Sequence, residues 1–214
     1  MTVILHWDGT SWTQVPAALG GATQGELYAV TALSPNAAWA VGYNQTTRTG
    51  LIERWNGHTW SVADYSGPVL RSIDGSSPRD VWGVGDIGGT YSSTYIEHWD
   101  GTAWTHVDSP NGVGAASGLA SVDAVSANDV WAVGSSGKYD IEPSTTLIEH
   151  WDGQSWTVVP SPSPGHHAND LTGVSGDSAS DAWAVGRYGR AINPDKQKSL
   201  YLHWDGTSWS PVRP

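Results

Sequence analysis

The chain has 214 residues, 38% of them hydrophobic, with 14 Trp, 8 Tyr, no Phe, no Cys and a formal net charge of −11. That acidity repels phosphate backbones and anionic membrane surfaces, so nucleic acid is not an expected partner. Without cysteine there is neither a disulfide nor a cysteine-based metal site, and no apolar run reaches the roughly 18 residues of a membrane span.

The first residues, Met1-Thr2-Val3-Ile4-Leu5, lead straight into a repeat motif and read as neither a signal peptide nor a membrane span. The pattern predicts a hairpin from Val3 to Val15, with Trp7 and Trp12 flanking Asp8-Gly9. A strand Leu27 to Val30 follows, then Trp39-Ala40-Val41-Gly42, then a strand ending at Arg54-Trp55, then Asn56-Gly57 and Trp60. The same order recurs through Leu70 to Ile73, Trp82, Trp99 and Trp104, then through Leu119 to Val122, Trp131, Trp151 and Trp156. It recurs once more through Leu171 to Val174, Trp183, Trp204 and Trp209. Every one of the 14 tryptophans occupies a repeat position.

The spacings are regular. The leucine stands 12 residues before each W-A/G-V-G, and the second Trp of each W-D/N-G motif stands 5 residues after the first. The first and last W-D-G motifs are 197 residues apart over four intervals, a mean period of about 49. Asp-Gly or Asn-Gly between β-rich runs predicts type I′ turns with positive φ at both central residues. Four short strands per period, with no helical periodicity, predict an all-β fold, a β-propeller of four-stranded antiparallel blades. The expected chain is one propeller domain over 1–214, with a half-blade at 1–16 and repeats at about 17–64, 65–109, 110–162 and 163–214.

The order L-x-x-V, V-W-A-V-G, L-I-E-H-W-D-G, W-x-x-V-P resembles tectonin-type propellers. It is also similar to the bacterial and invertebrate propeller lectins whose blades carry a W/Y-D-G-x-x-W hairpin. The resemblance covers essentially the whole chain and implies sugar binding in clefts between blades or among loops on one face.

The connections from W-A/G-V-G to W-D-G vary, with Trp-to-Trp steps of 16, 17, 20 and 21 residues, while the other hairpin spacings do not. The variable face is therefore where a ligand would be read. Candidate contacts there are Tyr43, Asp86, Tyr139, Arg187 and Tyr188, with His166, His167 and Asp170 in the last interblade stretch. The repeat tryptophans Trp7, Trp39, Trp55, Trp82, Trp99, Trp131, Trp151, Trp183 and Trp204 are read as packing residues. Trp39, Trp82, Trp131 and Trp183 are expected to be largely buried between blades.

His6, His98, His150 and His203 share one repeat position with Arg54, which suits a hydrogen-bonded structural role rather than a metal site. Glu53, Glu97 and Glu149 precede that position, and Leu5 and Leu202 replace them in the terminal units. Copies in successive blades do not suggest the paired carboxylates of glycoside hydrolysis. Asp8, Asp100, Asp152 and Asp205, with Asn56, are read as turn residues. Asn44-Gln45-Thr46 is a glycosylation sequon in a eukaryotic secretory setting.

The expected function is a non-catalytic binding module for carbohydrate, working through inter-blade clefts and variable loops. The alternative is a protein-docking or self-assembling scaffold. No cofactor or metal is expected; the expected partners are glycans or protein, and the expected location is extracellular or at the cell surface. Closure is uneven, since there are five outer hairpins and four inner ones. The chain could close as a four-bladed ring with one terminal hairpin displaced, form an arc of a larger ring, or pair with another chain. Pairing is the expected outcome, with Leu5 and Leu202 marking the terminal hairpins as buried against something.

Overall fold

Alternation of apolar and polar residues around each Gly-containing turn produces hairpins, and hairpins in series produce sheets. The computed structural model describes residues 2–19, 24–63, 65–114, 116–137, 143–189 and 197–212. A two-stranded hairpin comes first, β1 (Ile4–Trp7) with β2 (Trp12–Val15). The first four-stranded sheet holds β3 (Gly25–Ser34), β4 (Ala37–Asn44), β5 (Thr49–Trp55) and β6 (Trp60–Val62). The second holds β7 (Leu70–Ser77), β8 (Asp80–Asp86), β9 (Thr94–Trp99) and β10 (Trp104–Val107). The third holds β11 (Ala116–Ser126), β12 (Asp129–Gly137), β13 (Thr145–Trp151) and β14 (Trp156–Val158). The fourth holds β15 (Ala168–Ser178), β16 (Asp181–Gly189), β17 (Gln197–Trp204) and β18 (Trp209–Pro211). All neighbours pair antiparallel in sequence order, so the chain is a β-propeller of four blades preceded by the outer half of another.

The first strands touch one another in the order β3, β7, β11, β15 and therefore line the hub. Side chains stitch them across blades. Asp74 accepts from the Thr31 hydroxyl at 2.8 Å and from the Ala124 amide at 3.0 Å, and Asp123 accepts from the Gly176 amide at 2.9 Å.

Tryptophan fills the spaces between blades. Trp39 meets Trp99 and Trp104 of the next blade at ring distances of 5.0 and 5.1 Å. Trp82 meets Trp151 and Trp156 at 5.0 and 5.3 Å, and Trp131 meets Trp204 and Trp209 at 5.1 and 5.3 Å. One ring of each pair is edge-on, an arrangement the aromatic quadrupole favours. Trp39, Trp82 and Trp131 are each 1% exposed.

Trp183 departs from the expectation of burial: it is 43% exposed, because no W-D-G pair among the described residues packs over it as Trp204 and Trp209 pack over Trp131. Val30 is 65% exposed for the matching reason, since no inner strand among the described residues packs against it, whereas its counterparts Ile73 and Val122 are buried. Leu202 is buried within the chain, in the cluster around Trp131 and Leu171, so its place in the repeat needs no partner molecule. Leu5 stays exposed.

The D/N-G turns also differ from the expectation. Only the glycine has positive φ, as at Gly101 (96°) and Gly153 (93°), and the flanking Trp99↔Trp104 and Trp151↔Trp156 pairs enclose four residues. The first residue's side chain closes the loop: Asp100 Oδ1 accepts from the amides of Thr102 at 2.8 Å and Ala103 at 3.0 Å. Asn56 Oδ1 does the same for His58 and Thr59, both at 2.9 Å. The carboxylate is thus an acceptor satisfying turn amides, and charge is incidental. In these Asp turns the Thr102 and Thr207 hydroxyls, which donate to Oδ1 of Asp100 and Asp205, followed by the turn amides, hold the two carboxyls down to about 2.

Candidate functional site

Each first strand carries a register shift just after its leucine, between Leu27 and Ala29, Leu70 and Ser72, Leu119 and Ser121, and Leu171 and Gly173. The bulged residues are Tyr28, Arg71, Ala120 and Thr172. A bulge removes its residue from the ladder and re-aims its side chain, so these four positions escape the constant packing of the repeat. They lie at the end of the blades that carries the variable strand 2–3 connections.

Between blades one and two the bulges bring two functional groups together. The Arg71 guanidinium lies 5.8 Å from the centre of the Tyr28 ring, and its Nε is 3.7 Å from Asp86 Oδ2. Tyr28 donates its hydroxyl hydrogen to Glu26 Oε2 at 3.2 Å, and Gln45 Nε2 donates to Glu26 Oε1 at 2.9 Å. Tyr43 is the ladder partner of Glu26. Asp86 Oδ1 is held by Ser92 Oγ at 3.0 Å and the Gly88 amide at 2.9 Å. Burial, then the Glu26 hydrogen bond and charge, push the Tyr28 hydroxyl pKa up against the pull of Arg71. Tyr28 remains 42% exposed. A partly exposed aromatic ring therefore sits beside a guanidinium and two carboxylates.

A second polar cluster joins blades three and four. Arg187 Nε lies 3.3 Å from Asp170 Oδ2, its ladder partner, and Ser144 Oγ donates to Asp170 Oδ1 at 3.3 Å. Buried Asn169 fixes this corner, with Nδ2 donating to Ser144 O at 2.7 Å and to Gly165 O at 2.9 Å. The Ser144 amide donates to the His167 carbonyl at 2.8 Å, while the side chains of His166 and His167 point to solvent.

Asp170 and Arg187 thus converge, as do Asp86 and Arg71, and Tyr43 borders the first cluster. Tyr188 packs instead against the core of blades three and four. Tyr139 lies outside the described residues. Glu26, Tyr28 and Arg71 were not singled out in the sequence, although Tyr, Arg, Ala and Thr at one position inside an otherwise constant strand was the available signal.

The repeated glutamates are sealed between blades. Glu53 accepts from the amides of Ala18 at 2.9 Å and Leu19 at 3.0 Å, and Glu97 accepts from the Tyr95 hydroxyl at 2.5 Å. Glu149 is 0% exposed and neither oxygen has a hydrogen-bond partner among the described residues. Burial pushes its carboxyl up to about 8; the Ser109 hydroxyl, which tempers the shift, donates to Thr94 Oγ1. Carboxyls enclosed in this way do not reach a glycosidic bond. Among the described residues no group of three or more His, Asp or Glu is placed to hold a metal ion, and no helix is long and apolar enough to cross a membrane.

No protein-family model matches the chain, and no curated protein matches its sequence. Solved structures do match the fold. The six-bladed fungal lectin of Aleuria aurantia, with its fucose recognition mode, superposes with a TM-score of 0.57 at 14% identity, covering 95% of this chain and 66% of that one. The SapL1 lectin in complex with alpha methyl fucoside gives 0.55 at 12% identity, covering 97% and 71%. A polysaccharide lyase, an ulvan lyase bound to an oligosaccharide, gives 0.58 at 9% identity, covering 97% and 58%. The chain spans about two thirds of the fungal lectin's length, and the likeness is one of fold.

Proposed function

We propose that this chain is a non-catalytic, carbohydrate-binding propeller that reads a neutral glycan on its variable face. The observation that carries the reading is the Tyr28–Arg71 pair with Glu26 and Asp86 beside it. A sugar ring presents C–H groups on one face and vicinal hydroxyls at its rim. An exposed aromatic ring receives the first, and a guanidinium between carboxylates supplies donors and acceptors for the second. The net charge of −11 favours neutral over acidic glycans. The lectins among the fold neighbours and the resemblance of the repeats to tectonin-type propellers support the same class. The enclosed glutamates support binding without hydrolysis. The alternative of a docking scaffold draws on a different feature, the open seam beside β1.

A glycan array of neutral oligosaccharides, followed by calorimetry on the hits, tests the reading. Tyr28→Ala and Arg71→Ala should each weaken binding at least tenfold with little change in melting temperature. No binding to any glycan at millimolar concentration, or binding indifferent to Tyr28→Ala, overturns it.

A further inference from the structure

One level of the variable face recurs in every blade. The residue that follows the W-A/G-V-G motif is Tyr43, Asp86, Ser135 or Arg187, and the residue ahead of the first-strand leucine is Glu26, Val69, Gly118 or Asp170. Glu26 and Tyr43, Gly118 and Ser135, and Asp170 and Arg187 are ladder partners, so these positions share one height above the hub. Blades two and four each place an arginine and a carboxylate there, with the order exchanged. In blade two the arginine comes from the first strand (Arg71) and the acid from the second (Asp86); in blade four the acid comes from the first strand (Asp170) and the arginine from the second (Arg187).

In both pairs Nε faces the carboxylate, at 3.7 and 3.3 Å, and no terminal guanidinium nitrogen of either arginine makes a hydrogen bond among the described residues. Both arginine side chains are half exposed. Each pair is thus electrically balanced while its outward donors stay open, which suits a hydroxyl group better than an anion. Blade three, between them, carries only small side chains at this level, Gly118, Ala120 and Ser135. It touches both pairs. A Cβ at Gly118 would lie 3.4 Å from Asp86 Cβ, and Ser144 Oγ, just ahead of β13, donates to Asp170 Oδ1 at 3.3 Å. The two pairs are the ends of one continuous surface with a low floor.

We infer that this surface is a single elongated site for a linear oligosaccharide, held at one end by Tyr28, Arg71 and Asp86 and at the other by Arg187 and Asp170. The inference rests on the glycan-binding reading above and adds to it a second anchoring point and a minimum ligand length. The sugar backbone crosses Gly118, Ala120 and Ser135, where larger side chains would lift it off the floor. Two weak anchors joined by one ligand act together only when the ligand spans both. Below that length the second anchor contributes nothing, and beyond it extra units add little. Affinity therefore rises in a step with ligand length rather than evenly.

Calorimetry with linear gluco-, manno- and xylo-oligosaccharides, from monomer to hexamer, reads that step. In at least one series affinity should jump by about 10–100-fold at one length and change little beyond it. Arg187→Ala should abolish the jump and leave the affinity for the shorter members as it was, whereas Tyr28→Ala should weaken every member. Melting temperatures of both variants check that the fold is retained. Equal affinity for monomer and hexamer, a jump that survives Arg187→Ala, or an Arg187→Ala loss that is the same at every length overturns the elongated site and leaves the Tyr28–Arg71 reading standing. Absence of binding throughout all three series at millimolar concentration overturns the inference together with the reading it rests on.

Discussion

Asp129 Oδ1 lies 2.7 Å from His150 Nε2, and the His150 ring packs 4.2 Å from Trp131. The same contact joins Asp80 to His98 at 2.7 Å and Asp181 to His203 at 2.8 Å. Blade one has Ala37 at the aspartate's place and Arg54 at the histidine's, and the guanidinium lies 5.2 Å from the Trp39 ring. Aspartate and histidine therefore change together. An imidazole is fixed over tryptophan by an acceptor, whereas arginine holds its place by lying over two rings, 5.3 Å from Trp99 as well.

From this coupling, Asp129→Ala alone should cost about 1–2 kcal/mol, the loss of a half-buried hydrogen bond to a ring that then stacks less firmly. Asp129→Ala combined with His150→Arg, the blade-one combination, should recover a substantial part. Urea melts of the two single variants and the double decide the matter; strict additivity would show the positions to be independent.

Trp131 and Trp183 occupy one repeat position in two environments. Trp131→Ala, in a sealed interface, should cost about 3–5 kcal/mol, and Trp183→Ala, with its ring half in water, about 2 kcal/mol or less. Equal losses in denaturant unfolding would mean that blade four is covered in solution.

Glu149 makes stability depend on pH. Its carboxyl is raised by burial to about 8, so the folded state holds the proton more tightly than the unfolded chain. The associated stability is complete below the unfolded pKa near 4.5 and is lost as pH rises towards 8, by up to roughly 4 kcal/mol. Glu149→Leu, the residue blade four uses at Leu202, should leave stability at pH 4 nearly unchanged, raise it at pH 8 and flatten the profile between. A profile as steep as that of the parent protein would reassign the pH dependence to other groups.

In the turns, geometry outweighs charge. Asp152→Asn should be nearly neutral, since Asn56 closes the same loop in blade one. Gly153→Ala should cost about 1–2 kcal/mol, because φ there is +93° and a Cβ would sit 2.6 Å from Asn128 Oδ1. Thermal melts of the pair test this, and a reversed order of stability would refute it.

The architecture was legible because tryptophan marks both walls of every interface at fixed offsets, and because Gly punctuates each outer hairpin. The exposed Trp183 and Val30 were not, since a repeat motif describes a residue's place in its own blade and says nothing about whether a neighbouring blade exists. The aspartates Asp80, Asp129 and Asp181 fall two residues ahead of the motif's tryptophan, so only the matched change to Ala37 and Arg54 signalled them. The proposed site lies on the face that the variable loop lengths single out. Its chief residues Tyr28 and Arg71 were hidden, because a bulge is a property of strand pairing that the leucine and valine around it do not spell out.

Those bulges separate two kinds of inheritance in the repeat. A side chain in register is answerable to neighbours above, below and opposite, so duplication of the unit preserves it. A side chain outside the register answers to almost none of them, and four duplicated units here hold a phenol, a guanidinium, a methyl and a hydroxyl at that one point. The hub strand thus works as a rack of exchangeable fittings on a fixed frame. Substitutions confined to residues 28, 71, 120 and 172 can change the chemistry this face presents while the tryptophan framework, and the stability it provides, stays as it is.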